Sequence, residues 1–234
     1  MLVPGQKLNL KRLTKVQIIW LWEHHCEAHG HRYLEHPQCI FKEQPSINDE
    51  RLVERIGFLD IEAGGLVATF NYIFSYCIKE FEGNIIERVV TPKEIRSYDF
   101  DKKLMQQFCM DIQKFDRLIV YWGKSYRFDI PFLRTRAVKW GLDFPKYQEK
   151  YVTDVFDTVK SKLRLHRNRL ETACEFLDIP CKQHRLNPNI WQKALAGDKV
   201  SLDWILEHNR EDVISLEELW KRLNQFSRHS RISI

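Results

Sequence analysis

The sequence has no long apolar run. Its longest uncharged, largely apolar stretch covers residues 63–78 and is interrupted by Gly64, Gly65, Asn71 and Ser75. Because a membrane-spanning helix needs about 20 mostly apolar residues, this stretch does not predict one. Glycine and proline are scarce, at nine and eight of 234 residues, which excludes collagen-like and low-complexity chains. With 44% hydrophobic and 29% charged residues, the chain is predicted to fold as a soluble protein with a sizeable core.

The pattern also lacks a secretory signal and a disulfide framework. Residues 1–7 do not show the basic, apolar and small-residue succession of a signal peptide, so we expect an intracellular, cytoplasmic protein without membrane association. The six cysteines are widely spaced, which is more typical of reduced thiols than of disulfides. The net charge of +5 is modest and does not by itself indicate a polyanionic partner.

Two regions with different patterns make up the chain. Residues 1–50 combine helical spacing with a cluster of histidines and cysteines, and residues 51–234 are predicted to form a separate domain. The predicted strands are 56–62, 66–78, 85–90, 117–122 and 151–155, and the predicted helices are 99–115, 130–140, 156–163, 169–177, 190–196 and 203–223. Three successive strands, followed by strands that alternate with helices, predict an α/β fold in which an antiparallel meander joins parallel strands.

Two acidic residues lie near the end of the first predicted strand. Asp60 and Glu62 are separated by one residue, so their side chains point to the same face of the strand. Two neighbouring carboxylates repel each other and lose hydration when buried, and a hard divalent cation compensates both costs. Gly64 and Gly65 follow and would let a ligand approach the backbone. The alternative is an exposed strand on which such a pair has no special role.

A third carboxylate follows the fourth predicted strand. The segment 123–129 leads from that strand into a helix, and Asp129 stands near the helix start. This is the carboxyl edge of the sheet, where ligands bind in α/β proteins. Asp is also a preferred N-cap residue, so helix capping is the alternative role for Asp129.

The last acidic candidate lies early in the predicted helix 203–223. His208 and Asp212 are four residues apart and share one helix face, which brings an imidazole beside a carboxylate. Glu207 and Glu211 repeat the spacing on another face, where we expect solvent. A surface ion pair is the alternative explanation for His208 and Asp212.

Together, in this order and on these element types, the three motifs resemble those of the DEDD superfamily of 3′–5′ exonucleases. The resemblance spans about residues 55–225 and implies a ribonuclease H-like mixed sheet flanked by helices, with a small N-terminal Cys/His-rich extension. Residues 128–133 and 209–213 are typical of a branch found in microbes and phages. The third motif departs from the usual pattern. Members with His generally have four residues between this His and the Asp, whereas this chain has three, which is the spacing of members with Tyr.

The resemblance implies metal-dependent 3′–5′ hydrolysis of nucleic acid, DNA rather than RNA, with a nucleic-acid 3′ end as the partner. Four carboxylates without a soft ligand favour two Mg²⁺ or Mn²⁺ ions. Asp60 would bridge both ions, Glu62 and Asp212 would complete the site of the ion that activates water, and Asp129 would hold the other ion. His208 would accept the proton of the water or orient it.

Two other functions are compatible with parts of this pattern. A catalytically silent nucleic-acid-binding or adaptor protein would keep the fold and use the Cys/His segment for contacts, but retention of all four carboxylates and an imidazole argues against it. A ribonuclease H-type endonuclease would share the metal chemistry, yet its acidic residues are not expected in a His-x₃-Asp helix.

The N-terminal region holds a second candidate metal site. Cys26 and His29, and then His36 and Cys39, form two Cys/His pairs of like spacing, and two thiolates with two imidazoles can make a closed tetrahedral zinc site. A structural zinc ion would stabilise a small knuckle that cannot bury enough surface alone. Histidines clustered on a solvated helix face are the alternative, and three nearby histidines could compete as ligands: His24, His25 and His31.

Overall fold

The computed structural model describes residues 8–9, 13–36, 39–40, 54–124, 126–181, 184–227 and 232–234. The chain divides into two compact units, Met1–Arg55 and Ile56–Ile234. The predicted boundary near residue 50 lies outside the described residues. Within the described ranges, every helix is too short or too polar to cross a bilayer.

The first unit contains the helix α1 (Lys15–Glu23). The helix begins after Thr14, whose side chain accepts a hydrogen bond from the Gln17 amide, while the Gln17 side chain accepts one from the Thr14 amide. This reciprocal capping box fixes the start of the helix. At the other end His24 adopts an extended conformation, and the chain turns back to cover a small apolar cluster around Leu21.

Five strands form the sheet of the second unit: β1 (Ile56–Ala63), β2 (Ile73–Glu80), β3 (Ile85–Val89), β4 (Arg117–Val120) and β5 (Tyr151–Asp154). Their order across the sheet is β3-β2-β1-β4-β5. Strand β2 pairs antiparallel with β1 and β3, whereas β4 runs parallel to both β1 and β5. The predicted mixed sheet, a meander extended by parallel strands, is therefore present.

The second strand is shorter than predicted. It begins at Ile73 rather than at residue 66, because residues 64–72 fold into a loop. The Gly64 amide closes this loop by donating to the Tyr72 carbonyl oxygen at 3.1 Å. The uncharged run that suggested one long strand is therefore in part an exposed connection beside the end of β1.

Seven α-helices of the second unit are described: α2 (Pro92–Arg96), α3 (Lys102–Asp111), α4 (Asp129–Lys139), α5 (Val155–Lys162), α6 (Leu170–Phe176), α7 (Pro188–Leu195) and α8 (Lys199–Leu223). Helix α2 was not predicted, although Thr91 and Glu94 form a capping box around Pro92. Helix α8 begins four residues earlier than predicted because the Asp198 side chain caps it, accepting from the Ser201 amide at 2.9 Å.

Strand β1 lies in the middle of the sheet, and its side chains alternate between two apolar cores. Leu59 and Ile61 belong to one core, together with side chains of α3 and α4. Phe58 belongs to the other core, which α5, α6 and the second half of α8 complete. Asp60 and Glu62 follow on the face of Phe58, so this face changes from apolar to acidic along a single strand.

Helix α8 continues that change on its own surface. Leu216 and Trp220 are buried in the second core, where the Trp220 ring centroid lies 5.6 Å from that of Phe58. His208 and Asp212, nearer the middle of the helix than the sequence predicted, are buried as well. The apolar contacts of the second half of α8 therefore hold its polar residues at the carboxyl end of β1.

A buried ion pair fastens α4 to the sheet. The Asp101 carboxylate accepts hydrogen bonds from Arg136 Nε at 2.7 Å and Arg136 Nη2 at 2.5 Å. It also accepts from the Ile73 amide at 3.1 Å and from Trp140 Nε1 at 2.9 Å, so β2, α3 and α4 meet at one carboxylate. Because both charged side chains are almost fully buried, neither can exchange its partner for water.

We expect Asp101→Ala to lower the free energy of unfolding by about 3–5 kcal/mol, since it leaves the Arg136 guanidinium buried without its carboxylate. The measurement is urea unfolding of the full chain followed by circular dichroism. Asp203→Ala is the matched control, because Asp203 forms an exposed ion pair with Lys199 worth less than about 1 kcal/mol. A loss at Asp101 no larger than that of the control would contradict this account.

Candidate active site

The two carboxylates of β1 lie on one face of the strand, as their spacing predicts. Asp60 and Glu62 are half-buried, whereas the residue between them, Ile61, is fully buried in the opposite core. Asp60 Oδ2 accepts a hydrogen bond from Asn209 Nδ2 at 2.5 Å. Asn209 on α8 is completely buried, and its side-chain oxygen contacts the Ser75 hydroxyl at 3.5 Å. A neutral amide therefore fixes one carboxylate of the pair.

Asn209 is a candidate functional residue that the sequence pattern did not predict. A signal was present, because Asn209 and Asp212 are three residues apart and such residues are neighbours on a helix surface. The contact of Asn209 with β1 joins residues 149 positions apart, which helical spacing alone does not reveal.

His208 and Asp212 face Glu62 from α8. The distance from His208 Nε2 to Glu62 Oε1 is 3.4 Å, and that from Nε2 to Asp212 Oδ2 is 3.7 Å. One ligand atom from each of these three residues lies within 4.8 Å of the others, which is close enough for one metal ion to contact all three. The predicted alternative of a surface ion pair is wrong, since His208 and Asp212 are each 6% exposed.

The other nitrogen of His208 fixes the orientation of the ring. Nδ1 lies 2.6 Å from the His184 carbonyl oxygen. Because a carbonyl oxygen only accepts, Nδ1 carries a proton, and Nε2 is the nitrogen that accepts a proton whenever the ring is neutral. The Glu211 carboxylate in turn contacts the His184 amide at 3.0 Å and His184 Nδ1 at 2.7 Å. The expectation that Glu211 is only solvated is therefore wrong: it holds the residue that orients His208.

Asp129 is buried at the start of α4, with 2% of its surface exposed. The predicted alternative that it caps the helix is wrong, because Phe128 occupies the N-cap position. Burial raises the pKa of Asp129 well above its ordinary value, and the negative charge of Asp60 is the next cause. The charges of Asp154, Glu62 and Asp212 raise the pKa of Asp129 further, so the three carboxylates predicted to act with Asp129 all lie close enough to influence it electrostatically.

The loop that delivers Asp129 is organised by a further carboxylate, Asp154 at the end of β5. Its two oxygens accept hydrogen bonds from three successive backbone amides: Trp122 at 2.8 Å, Gly123 at 3.1 Å and Lys124 at 3.2 Å. Arg127 Nη1 donates to the same carboxylate at 2.6 Å. Trp122 has φ +61°, a left-handed conformation that is costly for a bulky residue and that these hydrogen bonds help to stabilise.

Gly123 leaves room for the Asp129 carboxylate. A Cβ atom at residue 123 would lie 2.0 Å from Asp129 Oδ2, so a side chain there would displace that carboxylate. The Gly123 carbonyl oxygen also accepts from the Ile130 amide at 2.9 Å, which ties the loop to the first turn of α4. Asp154 caps α5, as its position before that helix suggests, but the cap is only one of its contacts.

The N-terminal candidate residues also come together. Ligand atoms of Cys26, His29, His36 and Cys39 lie within 4.8 Å of one another in the first unit. The three competing histidines of the sequence analysis, His24, His25 and His31, do not belong to this group, which was identified among the described residues.

Comparisons with known proteins agree with this architecture. Residues 57–224 match the sequence model of a family described as the RNase_H superfamily. The structure of the family B DNA polymerase from the hyperthermophilic archaeon Pyrobaculum calidifontis is similar, with a TM-score of 0.59 and 16% identity. The match covers 73% of this chain and 24% of the polymerase. At this identity it supports the fold alone, and the predicted ribonuclease H-like sheet is confirmed. A search of curated proteins finds no match.

Asp129→Asn tests whether the neighbouring carboxylates raise the pKa of Asp129. Because the pKa of Asp129 is raised in the folded protein, its contribution to stability is fully present below the unfolded pKa of about 4. That contribution is lost as the pH rises through the folded-state pKa, whereas Asn stays neutral throughout. With a chelator present, we expect the melting temperature of Asp129→Asn, relative to wild type, to increase from pH 4 to neutral pH.

The measurement is thermal unfolding of both proteins across that pH range, with Asp203→Asn, an exposed site on α8, as the control. A melting-temperature difference between Asp129→Asn and wild type that does not change with pH would show that the Asp129 carboxylate is not held in a field of like charges.

Proposed function

Since this chain belongs to the RNase H superfamily, we propose that it is a nuclease that removes nucleotides from the 3′ ends of nucleic acid with the help of divalent cations. Superfamily membership supports nuclease activity in general. The observation that carries the finer proposal is the burial of Asp129 in the field of Asp60, Glu62 and Asp212, together with an imidazole, His208, that contacts Glu62 and Asp212. We further propose that residues 51–234 form the nuclease domain and residues 1–50 an accessory segment.

The donor set fits hard divalent cations. Asp60, Glu62, Asp129 and Asp212 supply only oxygen atoms, and four neighbouring negative charges need compensation that the nearby amide of Asn209 does not provide. These four carboxylates would hold two ions, Mg²⁺ or Mn²⁺. When bound, such ions supply positive charge that stabilises the transition state of phosphoryl transfer.

The side chains of this chain then have separate tasks. His208 Nε2 takes the proton of the attacking water, because Nδ1 keeps its own proton on the His184 carbonyl oxygen. Glu211 holds His184 and so keeps the imidazole in that tautomer. Asn209 orients Asp60, which lies on β1 between the groups supplied by α4 and α8. A proton acceptor 3.4 Å from Glu62 is thus fixed at the edge of the carboxylate group.

Two observations support a free strand end as substrate. The order of the three motifs resembles that of 3′–5′ exonucleases. The loop that follows the β1 carboxylates in the chain also exposes apolar side chains, with Leu66 73% and Phe70 86% exposed. Such side chains can pack against a terminal base without reading its identity. We propose DNA rather than RNA as the substrate, a choice that the digestion of both nucleic acids tests.

The direct test is digestion of oligonucleotides labelled at the 3′ or 5′ end, as single- and double-stranded DNA and RNA, with Mg²⁺, Mn²⁺ or a chelator. We expect metal-dependent release of nucleotides from the 3′ end. Asp60→Ala and Asp212→Ala should each lower the rate by more than about 10³-fold, because loss of a ligand removes several kcal/mol of transition-state stabilisation. Asp203→Ala, exposed on the same helix as Asp212, should stay within about twofold of wild type.

Three results would contradict the proposal. Cleavage by Asp60→Ala at the wild-type rate would remove the carboxylates from the mechanism. Internal cuts without a requirement for a 3′ end would indicate an endonuclease. Binding of nucleic acid without cleavage under every metal condition would indicate the silent binding protein.

Asp154→Asn tests the loop that positions Asp129. The amide group cannot accept all the hydrogen bonds of the Trp122, Gly123 and Lys124 amides, so we expect activity to fall by about 10–100-fold, as for other residues behind a metal ligand. The Mg²⁺ concentration needed for half-maximal rate should rise, and saturating Mn²⁺ should restore part of the rate.

Asp157→Asn is the matched control for Asp154→Asn. Like Asp154, Asp157 contacts Lys124 and Arg127, but it is half-exposed. Its contacts with these two residues are with their side chains and not with backbone amides. An unchanged Mg²⁺ requirement in Asp154→Asn, or the same change in both variants, would exclude the positioning role.

A further inference from the structure

The Cys/His cluster of the first unit has the dimensions of a metal site. The distance from Cys26 Sγ to His29 Nδ1 is 3.8 Å, that from Cys39 Sγ to His29 Nδ1 is 3.4 Å, and that from Cys39 Sγ to His36 Nδ1 is 3.0 Å. In a tetrahedral site with Zn–S bonds of about 2.3 Å and Zn–N bonds of about 2.0–2.1 Å, sulfur and nitrogen ligands lie about 3.5 Å apart. The observed separations fall on both sides of that value.

Two tight turns aim the four side chains at one point. In the first, the Cys26 amide donates to the His31 carbonyl oxygen at 2.8 Å and the Gly30 amide to the Cys26 carbonyl oxygen at 2.9 Å. Gly30 has φ +67°, a left-handed conformation that glycine adopts without steric cost. In the second, the His36 amide donates to the Arg32 carbonyl oxygen, and the Cys39 amide donates to the His36 carbonyl oxygen. The backbone thus presents both Cys/His pairs.

The two cysteines of the group are buried, and one nearby histidine is held elsewhere. Cys26 and Cys39 are 2% and 3% exposed and belong to the small apolar cluster around Leu21 and Tyr33. His24 stacks on Trp20 and places its Nδ1 2.8 Å from the Trp20 carbonyl oxygen, which directs it away from the cluster. The described apolar cluster of this unit is small, and small units of this kind are commonly stabilised by a metal ion.

We propose that Cys26, His29, His36 and Cys39 bind one structural zinc ion, which holds the two turns of the first unit together. Both imidazoles coordinate through Nδ1, and both thiols lose their protons to solvent when the ion binds. The four protein ligands close the coordination sphere, so the ion has a structural and not a catalytic role. No residue of this site belongs to the proposed nuclease site, so the two proposals succeed or fail independently.

Other uses of two cysteines and two histidines fit less well. A disulfide between Cys26 and Cys39 would not explain why the imidazoles of His29 and His36 lie next to the two sulfur atoms. A two-iron cluster with this ligand set places its thiolates on one iron and its imidazoles on the other. Here His29 Nδ1 is close to both sulfur atoms, which indicates a single ion.

The test is metal analysis of the full chain, produced with zinc in the medium and passed over a chelating resin. We expect one zinc ion per chain in the wild type and almost none in Cys26→Ser/Cys39→Ser. Cys109→Ser/Cys181→Ser is the matched control, because both of its cysteines lie in the second unit, and it should keep its zinc. His29→Gln should weaken zinc binding, whereas His25→Gln, outside the cluster, should not.

A second variant separates this site from the acidic one. The other group of residues that could hold zinc consists of Glu62, His208 and Asp212. Glu62→Ala/Asp212→Ala removes two of these three residues, and we expect the variant to retain one zinc ion. Cobalt replacement should give the intense visible bands of a tetrahedral ion and a thiolate charge-transfer band, both absent from the Cys26→Ser/Cys39→Ser protein.

Because the cysteine variant could lose the fold of the first unit, the wild type is also compared with and without a zinc chelator. We expect hydrogen exchange at the amides of Cys26, Gly30 and Leu34 to become at least about tenfold faster without zinc, while the amides of β1 are unchanged. Any of four results would overturn the proposal: wild type without zinc, a Cys26–Cys39 disulfide, iron in place of zinc, or zinc that is retained in the cysteine variant and lost in Glu62→Ala/Asp212→Ala.

Discussion

Repulsion between carboxylates at one edge of the sheet is the constraint on which the second unit depends. Asp60, Glu62, Asp129 and Asp212 come from one strand and two helices, and the charges of the other three raise the pKa of the buried Asp129. Bringing like charges together costs free energy, so the surrounding structure must hold them in place. Cations bound at this edge would offset the repulsion between the carboxylates that the fold holds close together.

The carboxylates are held in place by elements that also form the apolar core. Helix α8 packs Leu216 and Trp220 on the second core and, with the same face, brings Asn209 and Asp212 to β1. On the other side, Asp154 binds the loop before α4. Apolar burial therefore supplies the stability that keeps the polar residues close together. A substitution in the second core would also displace the polar side chains of α8.

Local patterns predicted much of this unit. Alternation along a strand placed Asp60 and Glu62 on one face, and helical spacing placed His208 next to Asp212, because both periodicities depend only on the backbone. The mixed sheet followed from the order of its elements. The start of β2 was wrong, since apolar composition does not distinguish a strand from an apolar loop such as residues 64–72.

Long-range partners could not be read from such patterns. Asn209 reaches Asp60, Asp154 reaches Trp122, and Glu211 reaches His184 only after the chain has folded. Each side chain has an ordinary local role, as a helix residue or an N-cap, and local spacing gives no reason to assign a second. The cluster of Cys26, His29, His36 and Cys39 could be anticipated because its ligands are close together in sequence.

Anomalous diffraction from crystals grown with Mn²⁺ tests the central claim most directly, because it locates the ions without relying on activity. The account predicts strong manganese peaks in contact with the carboxylates of Asp60, Glu62, Asp129 and Asp212, and weaker or missing peaks in Asp60→Ala crystals. Saturating Mn²⁺ that leaves this group of carboxylates without a peak, or that binds only elsewhere on the second unit, would contradict it.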